Sequence, residues 1–143
     1  MLKRKLNVAV LILCLVLIFS LLSFAVYEPF KVKLTLFERF VVISLLPSEG
    51  SYITLKIVRE LQMELAPTEE EAKLAGVFEV EGGGTDAEDW DAVALKEIVF
   101  GDIAKGIIVD ALEELDEGEK LTQQHFSLFE KFVVNAEKLK EGG

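Results

Sequence analysis

A single cysteine, Cys14, excludes an internal disulfide and leaves the redox compartment unreadable. It is no lipoprotein cysteine, because Leu11, Ile12 and Leu13 before it lack the small residues of such a site. One histidine, His125, beside that lone thiol rules out a metal site built from Cys and His. Cations are scarce once the leader is passed. Lys3, Arg4 and Lys5 stand at the start, so from Glu28 onward 12 Lys and Arg face 25 Asp and Glu, a formal charge of −13. Such a surface repels phosphate backbones, which excludes nucleic acid as a partner. No internal repeat or sustained heptad is present.

What the chain does have is one long uncharged run, Leu6 to Tyr27, broken only by Asn7, Ser20 and Ser23. As a helix its 22 residues would reach ~33 Å, enough for a ~30 Å hydrocarbon core. The expected organisation is a basic leader over 1–5, a transmembrane helix or signal anchor over 6–27 and an acidic domain over 28–143. Membrane lipid is then a partner through residues 6–27. The excess of Lys3, Arg4 and Lys5 over the far flank places the N-terminus inside and the C-terminal domain outside. Two other readings stay open: cleavage after Ala25, which would give a secreted domain, and a buried helix of a cytoplasmic protein.

Pro29 stops any leading helix, and Phe30 to Leu34 alternates apolar and basic as a short extended connector. Thr35 and Glu38 form a capping box opening a helix to about Leu46 that buries Leu36, Phe37, Phe40, Val41, Ile43 and Leu45. After the turn Pro47–Gly50, Ser51 caps a second helix with Ile53, Ile57, Val58, Leu61 and Leu65 on its apolar face. Pro67 ends it. Thr68 and Glu71 make another capping box, and Gly76 closes that short helix. Val77–Glu81 and Ala92–Phe100 read as two strands of one β-hairpin across a long acidic connection. Asp102 caps a helix with Ile103, Ile107, Ala111, Leu112 and Leu115 inward, ended by Gly118. Thr122 opens the last helix, with Phe126, Phe129, Val133 and Ala136 on one face, widened by Phe132.

Two stretches carry a resemblance. One is Leu34-Thr35-Leu36-Phe37-Glu38-Arg39 through Leu45-Leu46-Pro47 and Glu49-Gly50 to Thr54-Leu55-Lys56. The other is Lys120-Leu121-Thr122 with His125 and Ser127-Leu128-Phe129-Glu130-Lys131-Phe132. Over roughly 34–134 the chain resembles small uncharacterised α+β proteins of phage, prophage and metagenomic origin. The matching residues are mostly caps and core positions, so the resemblance implies a shared fold and no particular activity. The helix–helix–short helix–hairpin order from Thr35 to Phe100 also resembles a winged helix. Its reader, the short Thr68–Ala75 helix, carries three glutamates and one lysine, which suits a protein partner and not DNA.

Chemistry-bearing motifs are thin. Asp86, Glu88, Asp89 and Asp91 gather four carboxylates that a hard cation could use. The EF-hand pattern fails, since Trp90 and Asp91 stand at its fifth and sixth positions, and a solvated hairpin tip is the reading kept. Trp90 reads as a lid on the core. His125 lies in the first turn of a helix with no partner fixed by spacing, and Ser127 points to another face. Gly82-Gly83-Gly84 lacks the lysine of a phosphate loop, and Glu113 to Glu117 is a solvated helix end.

The sequence therefore predicts an α+β fold: a mainly helical soluble domain with one β-hairpin, preceded by one transmembrane helix. No catalytic, cofactor-binding or metal residue is assigned. The expected function is a non-enzymatic, membrane-tethered module contacting an unidentified protein partner. The alternative is a soluble or oligomeric phage-type assembly component with the leading helix buried between subunits.

Overall fold

The computed structural model describes residues 1–4, 7, 8, 10 and 28–136. Within 28–136 the order is β1 (Phe30–Leu34), α1 (Leu36–Leu45), α2 (Tyr52–Leu65), α3 (Glu69–Ala75), β2 (Val77–Glu79), β3 (Thr85–Ala87), β4 (Lys96–Phe100), α4 (Asp102–Glu117) and α5 (Gln123–Phe129). A π-helical segment, Glu130–Val134, extends α5. The fold is α+β as expected, but its sheets differ from expectation.

The run Phe30–Leu34 is a strand and not a connector. It pairs antiparallel with β4, matching Phe30 to Phe100 and Leu34 to Lys96. Alternation turns Val32, Leu34, Ile98 and Phe100 into the core and leaves Lys31, Lys33, Glu97 and Val99 outside. The expected hairpin between 77–81 and 92–100 is corrected as well: β2 pairs with β3 instead, Val77 opposite Ala87. Gly82, Gly83 and Gly84 all take positive φ, which side chains resist, so the chain reverses within that turn. With β4 drawn to β1, the hairpin that follows α3 is β2–β3 and not 77–81 with 92–100.

A transmembrane helix over 6–27 is likewise withdrawn. Among the described residues no helix is long and apolar enough to cross a membrane. The longest of the elements over 28–136, α4, has 16 residues and reaches only ~24 Å, with Asp102, Lys105 and Asp110 along it. Positions 6, 9 and 11–27 lie outside the described residues, as does the cleavage point after Ala25. No described helix supplies the signal anchor or the single-pass placement with the N-terminus inside.

One apolar core holds Val32, Leu34, Val42, Leu65, Ile98, Phe100, Ile108, Leu112, Leu128 and Phe132, drawn from both halves of the chain. A smaller cluster of Leu36, Ala75 and Val93 lies under Trp90. The indole meets Phe37 and Phe40 edge-on at 5.3 and 5.4 Å, the lid position expected for it.

Three helix faces differ in part from expectation. In α1 the buried set is Leu36, Glu38, Arg39, Val41 and Val42, while Phe37 is exposed. Arg39 stands three residues from both Leu36 and Val42, so it shares their face. In α4 the inward residues are Ala104, Ile108 and Leu112, Ile103 faces solvent, and Gly101 occupies the cap with Asp102 as the first helical residue. After Thr122, Phe132, Val133 and Ala136 are inward as expected, while Leu128 joins them and Phe126 turns outward.

Candidate functional site

Helix α2 presents three faces, because each residue turns ~100°. Val58, Leu61 and Leu65 are buried. Flanking them lie Ile53, Ile57, Glu60 and Glu64. Opposite the core lie Tyr52, Lys56, Arg59 and Met63, with Glu60 at the edge of that face and Leu55 on the other flank, all exposed. Of the five positions expected inward, Ile53 proves 62% exposed.

The flank of α2 forms one wall of a groove of about 580 Å³, lined by Ile57, Glu60, Leu61 and Glu64 on that side. The other wall is the end of β4 and the first turn of α4: Val99, Gly101, Asp102, Ile103 and Ala104. Val99 and Ile103 are 53% and 58% exposed although both are large and apolar. Lys96 Nζ bridges the two walls. It donates to the Glu64 carbonyl at 2.7 Å and lies 3.2 Å from the Glu64 carboxylate. The result is an apolar floor between carboxylates.

Elsewhere four charged residues, Glu38, Arg39, Glu71 and Lys131, are committed to structure. Glu38 Oε2 accepts from the Thr35 amide at 2.8 Å, closing the first capping box, and both its oxygens receive Lys131 Nζ at 2.7 Å. Ser127 Oγ donates to Glu38 Oε1 at 2.8 Å. Burial pushes the Glu38 carboxyl up, but Lys131, the Thr35 amide and Ser127 together outweigh it and hold the pKa below the usual value. Arg39, fully buried, donates from Nη1 and Nη2 to Glu71 at 3.2 and 2.9 Å. Glu71 also accepts from the Thr68 amide at 2.9 Å. Partial burial raises the Glu71 pKa, and Arg39, Thr68 and more distant Lys96 lower it by more. The sequence read these glutamates as caps only. Their long-range partners were signalled by one clue, a cation at the core spacing 36–39–42.

His125 is buried and caps α5, its Nδ1 accepting from the Thr122 amide at 3.1 Å. Ser127 turns to Glu38 and not to it, so the two form no nucleophile–base pair. The 86–91 segment is no hairpin tip, which is formed by the glycines. It is strapped to the end of α3, where the Glu88 and Asp89 amides donate to the Gly76 and Ala75 carbonyls at 3.3 and 3.0 Å. Asp86 and Asp89 turn their carboxylates to the Ala87 and Asp91 amides. Among the described residues no three His, Cys, Asp or Glu side chains converge as metal ligands.

No family model, curated protein or solved structure matches this chain. The groove therefore has to be read from its own residues.

Proposed function

We propose that residues 28–136 form a non-enzymatic protein-interaction module whose α2/β4–α4 groove takes a basic amphipathic segment of a partner protein. The observation that carries this reading is the exposed apolar pair Val99 and Ile103 facing Ile57 between carboxylates. Water leaves the apolar floor when a partner's aliphatic side chains enter, and Glu60 and Glu64 meet cations along its edge. The surplus of acidic over basic residues favours the same partner at long range and speeds encounter. Apolar anchors recurring at helical spacing, with Lys or Arg between them, would match such a surface.

The test is fluorescence anisotropy of a labelled Leu/Lys amphipathic helix titrated with the full chain. Binding should saturate, weaken with salt, and fall at least tenfold in Ile103→Lys and Glu60→Lys, about 1.4 kcal/mol or more. Equal binding by wild type and both variants would sink the groove as the docking site.

A further inference from the structure

The segment such a groove would take is present on the chain itself. We propose that the outer face of α2 of one copy docks into the α2/β4–α4 groove of a second copy, joining copies head to tail. This rests on the groove reading above and specifies its occupant.

Among the helices of residues 28–136, α2 alone sets two cations, Lys56 and Arg59, among three exposed apolar side chains, Tyr52, Leu55 and Met63. Tyr52, Lys56, Arg59 and Met63 follow at intervals of four, three and four residues, so they form one stripe along the side of α2 opposite the core. Tyr52 and Met63 are 82% and 73% exposed. Lys56, Arg59 and Glu60 take part in no ion pair among the described residues, so a second copy would not have to break one to pair them. The stripe is apolar with cations where the groove is apolar with carboxylates, and like charges in either surface disfavour pairing with itself.

The two surfaces are adjoining patches on the same helix, their centres roughly a quarter turn apart, with Lys56 and Glu60 one turn apart at their boundary. Contact between them is heterologous: each copy that offers its stripe still has an open groove. Assembly then continues from copy to copy until it closes as a ring or runs on as a filament.

Sedimentation of the full chain over a range of concentrations provides the first readout. Mass should rise with concentration and fall with salt. Two variants break opposite surfaces, Lys56→Glu with Arg59→Glu for the stripe and Glu60→Lys with Ile103→Lys for the groove. All four positions are exposed, and far-UV dichroism with Trp90 fluorescence verifies the fold. Each variant alone should associate at least tenfold more weakly than wild type. Mixed, they should form a one-to-one pair that grows no further, because each supplies the surface the other has lost. Carbodiimide coupling of isotopically heavy and light copies should join Lys56 of one to Glu60 or Glu64 of the other.

Monomeric mass at every concentration, or variants that associate as wild type does, would overturn the self-docking. Should the Leu/Lys helix still bind in that case, the groove reading stands and only its occupant changes. If neither peptide nor second copy binds, both readings fall together.

Discussion

Arg39 and Glu71 lie 32 positions apart in the chain, yet the buried guanidinium holds the carboxylate through two parallel hydrogen bonds. Because Glu71 also closes the capping box of α3, one side chain fixes where that helix starts and where it docks. Glu71→Gln keeps the capping geometry but removes the charge opposite a fully buried cation. It should destabilise the fold by about 3 kcal/mol in urea titration. Arg39→Met combined with Glu71→Gln should recover most of that loss. Equal losses in the single and double variants would show that the pairing is not the source.

Acid should loosen the domain through Glu38 and Glu71. Both folded-state pKa values lie below the usual 4.5, so each carboxylate contributes stability above that value and loses it as pH falls through the depressed one. Unfolding free energy should be flat near neutrality and decline below ~4.5. Glu38→Gln should flatten part of that decline. An unchanged pH slope in this variant would remove Glu38 from the account.

Replacement of His125 tests capping against catalysis. His125→Gln keeps an acceptor for the Thr122 amide, whereas His125→Ala leaves that amide without it. The alanine variant should be less stable by about 1 kcal/mol or more, with glutamine in between. Chemical denaturation read by Trp90 fluorescence gives the order, and identical stabilities would refute the cap.

Two glycines should respond oppositely to alanine. Gly76 ends α3 at φ 63°, and an added Cβ would lie 2.9 Å from the Glu88 side chain. Gly76→Ala should cost about 1–2 kcal/mol. Gly106 sits within α4 with nothing within 4 Å of such a Cβ, so Gly106→Ala should stabilise by about 0.5–1 kcal/mol. Thermal melts of both variants measure the contrast.

Local signals were readable in the sequence because they act over three or four residues. Thr35 with Glu38, Thr68 with Glu71, Ser51 and Gly76 all stand where capping chemistry puts them. Pairing was not readable. The alternation at 30–34 says that a strand can form but not that Lys96–Phe100 is its partner, and a run of glycines does not announce that three positive φ values will close a hairpin at once. The groove was hidden for a related reason. Ile53 and Ile103 look like core by spacing, and only tertiary packing reveals that they face outward, as Val99 does. The leading apolar run misled in another way, since hydropathy alone supports a span that no described helix provides.

Lys131 reaches back 93 positions to Glu38, and its ammonium also meets the Lys33 carbonyl at 3.0 Å. During synthesis the first strand and first helix must therefore wait, their charged and apolar surfaces uncovered, until Lys131 has left the ribosome. Such late closure slows folding and makes shorter nascent chains sticky, because a residue that shields β1 and α1 is made 93 positions after Glu38.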